Sequence, residues 1–199
     1  MVLANVYDLR SIDTNIIPEH TKFAIDTNVL YWMHYSRCNT TGYQIMYYPQ
    51  FISDLMERQI SFVTTACNVS ELLHLVEKKE YDIFKASNSV RNIKEFRKNK
   101  SERINVQKEL EIIMMQIESM YSVQDFELDF SLLSKFVHNF DSHRCDNNDY
   151  SILTYLKDAG INNVITDDCD FITYAGINVY TANENIINEA KRKNILCVV

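Results

Sequence analysis

Four acidic residues of this chain lie where strand and helix patterns would bring their carboxylates together. Asp26 directly follows the apolar run 23–25, and Asp168 comes shortly after the apolar pair 164–165. Glu71 and Asp149 lie near the start of amphipathic segments. Four carboxylates that converge in one cleft cannot all stay charged without a cation. The sequence therefore predicts a site for Mg²⁺ or Mn²⁺, which prefer oxygen ligands.

The chemistry that such a site serves is phosphodiester hydrolysis. Two divalent cations about 4 Å apart activate a water and stabilise the leaving oxygen, so no side-chain nucleophile is required. Taken singly, the same acids have structural explanations. Glu71 and Asp149 would complement a helix dipole, and Asp168 would serve as an N-cap. Their joint occurrence, in this order, favours the metal site.

Hydrophobic periodicity predicts the elements that must position these acids. The predicted strands cover residues 22–26, 60–64, 163–166, 177–180 and 195–199. The predicted helices cover about 27–35, 48–58, 67–85, 104–121, 131–140, 146–159 and 183–193. We expect an irregular or extended lead-in before residue 22 and a loop over 38–44. The first helix should be capped by Thr27 or Asn28, and Gly160 should lie just after a helix end. Alternating strands and helices predict an α/β fold, with a parallel sheet covered on both faces.

The composition favours one compact domain. The chain has 199 residues, of which 46% are hydrophobic, enough for a sizeable core. Only three glycines and two prolines occur, so no flexible linker is visible. We expect a single domain over residues 1–199, in which the helical middle at about 77–140 is an insertion or an extended arm.

Cysteine usage and hydropathy favour a cytoplasmic protein. The five cysteines are odd in number and form no C-x-x-C pair. No secretory signal and no run of about 18 apolar residues is present, so we expect free thiols and no membrane span. A zinc site at His138, His143 and Cys145 would match no standard spacing. Cys169 would be a poor nucleophile, because the neighbouring acids raise the pKa of its thiol.

A basic segment interrupts an acidic chain. The net charge of −7 argues against a protein that coats nucleic acid by charge alone. Residues 91–108 nevertheless carry a local excess of cations, namely Arg91, Lys94, Arg97, Lys98, Lys100, Arg103 and Lys108. This segment predicts either phosphate contacts to RNA or a solvated helix face. The apolar faces at 104–120 and 132–140 belong to the core, or else form a groove for a dimer or a partner helix.

The acids and their neighbours resemble the motifs of the PIN-domain nucleases. The first motif matches Asp26-Thr27-Asn28-Val29-Leu30, and the second matches Ser70-Glu71-Leu72. The third matches Asp149 followed by Tyr150-Ser151-Ile152-Leu153. The last, Thr-x-Asp-x-Asp-Phe, matches Thr166, Asp168, Asp170 and Phe171. The resemblance covers about 22–86 and 141–182. Toxin-type members of the family are similar, although many are shorter and lack this helical middle.

The resemblance implies a three-layer α/β/α fold and cleavage of single-stranded RNA with Mg²⁺ or Mn²⁺. It also implies which residues bind the metal, namely Asp26, Glu71, Asp149 and Asp168. A toxin-like member would have an inhibitory protein partner, and a homodimer is a further expectation.

The resemblance also implies supporting residues around the metal. Asp170 would be an auxiliary acid, and Thr166 and Asn28 would be polar supports. Asp146 is a reserve candidate for the third acid, because acids three residues apart share a helix face.

Other classes of function remain as alternatives. A PIN-like scaffold that binds RNA or protein would keep the fold without catalysis, and Tyr150, where a small residue is commoner, permits this. A haloacid-dehalogenase-like phosphatase would need an acid at the position of Asn28. A receiver-like phospho-acceptor would need a lysine on a late strand, and none is evident.

Overall fold

The sheet of this protein is built entirely of parallel strands. The computed structural model describes residues 3–38 and 41–197, and within them seven strands form one sheet with helices on both faces. This is a three-layer α/β/α arrangement, which confirms the predicted fold class.

The strands and helices have the following bounds. The strands are β1 Asn5–Asp8, β2 Lys22–Ile25, β3 Ser61–Thr65, β4 Ser122–Gln124, β5 Asn163–Ile165, β6 Asn178–Thr181 and β7 Leu196–Cys197. The helices are α1 Thr27–His34, α2 Tyr43–Glu57, α3 Ala66–Ser87, α4 Ile93–Phe96, α5 Lys100–Met120, α6 Phe130–His138, α7 Asn147–Asp158 and α8 Glu184–Lys193. Short 3-10 turns cover Thr14–Ile16 and Phe171–Thr173.

The strand order places a topological switch point at the centre of the sheet. The order is β4-β3-β2-β5-β6-β1-β7, so the chain runs outward from β2 in one direction and continues from β5 in the other. The pairing of β2 with β5 sets Phe23 beside Asn163 and Ile25 beside Ile165. In open α/β sheets, ligands bind beyond the carboxyl ends of the strands at such a point.

Alternation along the central strands gives the two faces of the sheet separate cores. Phe23 and Ile25 point into the core shared with α1, α2, α3 and α5. Ala24, on the same strand, points into the opposite core, which includes Leu153 of α7 and Ile186 of α8. Burial on both faces explains why β2 is apolar throughout its last three residues, since each face must exclude water.

Two strands lie where no strand was predicted. β1 is in the lead-in, where only Val6 of the strand is buried, so its apolar pattern is weak. β4 lies inside the predicted helical middle and pairs with β3, from Val63 beside Ser122 to Thr65 beside Gln124. Neither strand has the alternating apolar run that identifies a strand locally. The segment 77–140 therefore contributes an edge strand to the sheet as well as helices.

Most helix boundaries agree with the predictions within a few residues, but two details differ. α2 begins at Tyr43, although Pro49 lies inside it, because the buried side chains of Tyr48, Phe51 and Leu55 fix it against the core. The cap of α1 is neither Thr27 nor Asn28 but Asp26. Gly160 follows α7 with a φ of 74°, as predicted for a helix C-terminus.

Several predictions lie partly beyond the described residues. The predicted loop 38–44 includes residues 39 and 40, and the predicted last strand includes residues 198 and 199, which the structure does not describe. Within residues 3–38 and 41–197, no helix combines the length and apolar character that a membrane span needs. The thiols of all five cysteines are free.

Candidate functional site

The site forms around Asp26, at the carboxyl ends of the two central strands. Its backbone N–H donates to the carbonyl of Ile165 at 3.1 Å, which extends the β2–β5 pairing by one residue. Thr166 follows β5 directly and so lies beside Asp26. The switch point of the sheet therefore brings the first and last predicted motifs together.

Asp26 is buried, and both of its carboxylate oxygens have protein donors. Oδ1 accepts from the backbone N–H of Thr27, the first residue of α1, at 2.8 Å. Oδ2 accepts from the Thr166 hydroxyl at 2.8 Å and, at a longer 3.4 Å, from the Asn28 amide. The carboxylate is thus held in one orientation at only 6% exposure.

Thr166 connects Asp26 to Asp168. Its hydroxyl donates to Asp26 and accepts from the backbone N–H of Asp168 at 3.0 Å. The side chain of Asp168 in turn accepts from the backbone N–H of Asp170 at 2.8 Å. Thr166 is fully buried, so this link is shielded from water.

Glu71 reaches the site from α3 through two polar residues. The Thr27 hydroxyl donates to Glu71 Oε2 at 2.9 Å, and the Asn68 amide donates to the Thr27 hydroxyl at 3.1 Å. Asn68 Oδ1 accepts from the Thr65 hydroxyl at 2.7 Å. Thr27 and Asn68 were not predicted as site residues. Their only signal in the sequence is a polar residue in the first turn of each helix, which ordinary capping also explains.

Asp149 enters from the first turn of α7, which begins at the same edge of the sheet. Asp146 is the N-cap of this helix, and its side chain accepts from the backbone N–H of Asp149 at 2.9 Å. Asp146 is exposed, whereas Asp149 is half-buried. The structure therefore gives Asp146 a capping role and makes Asp149 the more buried of the two acids.

The charges of these acids act on one another. Burial raises the pKa of Asp26 to about 7, and the charges of Asp168 and Glu71 add to that rise, against the opposing hydrogen bonds from Thr166 and Thr27. Burial likewise raises the pKa of Asp149 to about 8, with contributions from Asp26, Asp146, Asp168 and Glu71. The four predicted acids are thus close enough for their charges to disfavour the ionisation of Asp26 and Asp149.

The donor chemistry of the cluster fits a hard divalent cation, because every candidate ligand atom is a carboxylate or hydroxyl oxygen. The residues that the structure describes nevertheless contain no group of three or more His, Cys, Asp or Glu side chains arranged to hold a metal ion. The mutual effect of the acids on their pKa values is compatible with this absence, because charges interact over distances much longer than a metal–ligand bond. In this conformation the carboxylates of Asp26 and Glu71 are directed by threonine hydroxyls.

The three acids in the turn that follows β5 separate into different roles. Asp167 accepts from the hydroxyls of Tyr43 and Tyr48, at 2.8 and 2.6 Å, and so faces α2 rather than the cluster. Asp170, predicted as an auxiliary metal ligand, forms an ion pair with Arg144 at 3.2 Å. Burial and the charge of Asp168 raise the pKa of Asp170, and the Arg144 charge opposes them. The Asp167 anchor was not predicted; it fixes the loop that carries Asp168.

The basic segment lies along α4 and the start of α5. Arg97 and Arg103 both form ion pairs with Glu77 of α3, and the Arg103–Glu77 distance is 2.7 Å. The other predicted RNA contacts, Arg91, Lys94, Lys98 and Lys100, are exposed. Glu77 is six residues beyond Glu71, or about 9 Å along the helix axis. Of the predicted RNA contacts, Arg97 and Arg103 therefore have an internal structural role.

The alternative chemistries find little support in the geometry. Burial raises the pKa of Cys169 and raises that of Cys145 to about 12, with nearby acids adding to both, so neither thiol ionises readily. The ring of His143 stacks on Tyr150, with centroids 4.6 Å apart. His138 is exposed. These contacts indicate packing rather than nucleophilic or zinc chemistry.

Comparison of the chain with protein-family models gives no match, and comparison with curated proteins gives no significant match. The resemblance to PIN-domain nucleases thus stays a prediction from the motifs. The interpretation of the site depends on the residues and contacts described above.

Replacing Thr166 with Val is expected to disturb the site while nearly keeping the volume of the side chain. Asp26 and the backbone N–H of Asp168 would each lose a buried partner, which costs about 1–3 kcal/mol of unfolding free energy. If the acids hold a divalent cation, its affinity should fall about 10–100-fold, as for other groups that orient metal ligands. Urea unfolding and calorimetric titration with Mn²⁺ measure the two effects. Thr166→Ser, which keeps the hydroxyl, is the matched control, and equal stability and Mn²⁺ affinity of the Val and Ser proteins would contradict the orienting role.

Proposed function

We propose that this protein is a metal-dependent endoribonuclease with a PIN-like site. The observation that carries the proposal is the shared electrostatic environment of Asp26, Glu71, Asp149 and Asp168 at the switch point of a parallel sheet. Carboxylates that repel one another around a buried Asp26 are stabilised by a bound cation. RNA is proposed as the substrate because the order of the motifs resembles that of the PIN-domain nucleases.

In this proposal the four acids hold Mg²⁺ or Mn²⁺, and the threonines orient the acids. A divalent cation supplies a Lewis acid that activates water and neutralises charge on the phosphate. Thr166 links Asp26 to the loop that carries Asp168, and the Thr27 hydroxyl holds the Glu71 carboxylate. The acids would hold the cation and would not attack the phosphorus, so no side-chain nucleophile takes part.

The exposed cations beside α3 are proposed to guide the substrate. Arg91, Lys94, Lys98 and Lys100 are free of ion pairs among the described residues, so they are available to phosphates. Arg97 and Arg103 fix this segment to α3 through Glu77. An inhibitory protein partner, as for a toxin, remains a proposal with no residues assigned to it.

The second candidate is a PIN-like scaffold that binds RNA without cleaving it. Its support is that the described acids are not arranged as a ready-made set of metal ligands. A scaffold would retain the exposed cations and the fold, and would need no cation at the acidic cluster.

Cleavage of end-labelled single-stranded RNAs tests the proposal. We expect the native protein to cut RNA with Mn²⁺ or Mg²⁺ and not with EDTA. The Asp149→Asn protein should cut RNA at least about 100-fold more slowly, which exceeds the loss typical of residues that only support a metal ligand. Asp158→Asn, an exposed change at the other end of α7, is the matched control. Equal rates for native and Asp149→Asn protein would contradict the site, and RNA binding without cleavage would favour the scaffold.

A further inference from the structure

A groove lies along one face of α5, outside the acidic cluster. It has a volume of about 650 Å³, and those of its lining residues that the structure describes all belong to this helix. Its apolar floor is open to solvent, since Ile104 is 44% exposed and Met115 is 62% exposed. One flank of this face is occupied, because Val106 is buried and Leu110 and Met114 pack partly against the core that contains Ile113 and Ile117. The remainder of the face, which includes Ile104 and Met115, is exposed.

The residues of this face have a palindromic order. Lys100 and Glu118 are 18 residues apart, which is about five helical turns, so their side chains leave the helix in the same direction. Ile104 and Met114 form a second pair between Lys100 and Glu118, and Gln107 and Glu111 form a third pair between Ile104 and Met114. Each pair is centred on position 109. A second α5 that runs in the opposite direction would therefore set every member of a pair opposite its counterpart.

The charges of the face agree with this arrangement. The N-terminal end of the groove carries Lys100 and Arg103, whereas the C-terminal end carries Glu118. Neither Lys100 nor Glu118 has an ion-pair partner among the described residues. In an antiparallel pair each lysine would meet a glutamate of the other copy, and the apolar layer of Ile104 and Met114 would lie between them. A parallel pair would instead set like charges together, which disfavours it.

We propose that two copies of this chain associate through α5, packed antiparallel across a two-fold axis level with position 109. The same patch serves both copies, as a two-fold interface requires. The charged ends fix the direction of the helices, and Ile104 and Met114, on either side of the central Gln107 and Glu111, supply the apolar burial. This proposal concerns a surface outside the acidic cluster and does not depend on the proposed activity; in the dimer Lys100 would face Glu118 of the other copy, which leaves Arg91, Lys94 and Lys98 as the proposed phosphate contacts.

Charge reversal tests the pairing, because the interface is formed by one sequence. Lys100→Glu and Glu118→Lys, each alone, would set like charges opposite each other at both ends, and each should weaken self-association at least about tenfold. The double variant Lys100→Glu/Glu118→Lys restores opposite charges and should return the dissociation constant to near the native value. Lys94→Glu, an exposed change on α4, is the control for altered net charge.

Sedimentation equilibrium over a range of protein concentrations measures these constants, with circular dichroism to verify that each variant is folded. The expected result is a native dimer that each single variant weakens and the double variant restores. A native protein that stays monomeric at all concentrations would overturn the proposal. A dimer that neither single variant weakens, or that the double variant fails to restore, would place the contact elsewhere and overturn it as well.

Discussion

Replacing Asp26 with Asn is expected to abolish RNA cleavage and, at pH 8 without metal, to raise the melting temperature by about 5 °C. The two effects have one cause. Asp26 is buried beside Asp168 and Glu71, and its ionisation is opposed by burial and by their charges. A neutral amide removes this repulsion, which is worth on the order of 2 kcal/mol after allowance for the coupling between the acids. It also removes an anionic ligand that the cation requires.

The hydrogen bonds of Asp26 make Asn a conservative replacement. An amide oxygen accepts from the Thr27 N–H as the carboxylate does, and the Thr166 hydroxyl can accept from the amide. Calorimetry of metal-free protein and an RNA cleavage assay measure the two effects. Asp82→Asn, an exposed change on α3, should alter neither. If the Asp26→Asn protein were less stable than the native protein, the Asp26 charge would support the fold, contrary to this account.

The metal-free protein is expected to lose stability as the pH rises from about 4 to about 8.5. Asp26 and Asp149 have pKa values of about 7 and about 8 in the folded chain, above the ordinary value of 3.8. The folded state therefore binds these two protons more tightly than the unfolded state does. Their contribution to stability is complete below about pH 4 and is lost as the pH rises through the folded pKa values. The total loss should reach a few kcal/mol.

A divalent cation should reverse this loss, because it binds the ionised carboxylates. We expect Mn²⁺ to raise the melting temperature at pH 8 and to have little effect at pH 5, where protons occupy the site. Melting curves at both pH values, with Mn²⁺ and with EDTA, make the comparison. Asp26→Asn should flatten the pH profile. A native profile that is flat, or that rises toward pH 8, would contradict the raised pKa values.

The central part of the fold could be predicted from the sequence because its elements are strongly patterned. β2 is apolar on both faces and is followed by Asp26, and β5 is flanked by an amphipathic helix and an acidic turn. Such local patterns identify central parallel strands. β1 and β4 could not be predicted, since each is short and is stabilised by pairing with a strand distant in the chain.

The acids of the site could be predicted, but the residues that orient them could not. An acid after a buried strand is unusual, and that is why Asp26 and Asp168 were identifiable. Thr27 and Asn68 look like ordinary first-turn residues, and only the packing of α1 against α3 shows that they direct Glu71. The sequence likewise gives no means of telling Asp167, which faces two tyrosines, from Asp168 beside it.

Calorimetric titration of the protein with Mn²⁺ at pH 8 is the most direct test of the acidic cluster as a cation site. This account predicts saturable binding to the native protein, weakened at least about tenfold in both Asp26→Asn and Asp168→Asn. At pH 5 the native protein should bind Mn²⁺ more weakly than at pH 8, again by at least about tenfold, because protons occupy the carboxylates. Absence of Mn²⁺ binding to the native protein, or equal binding to all three proteins, would contradict the assignment of the acidic cluster as a cation site.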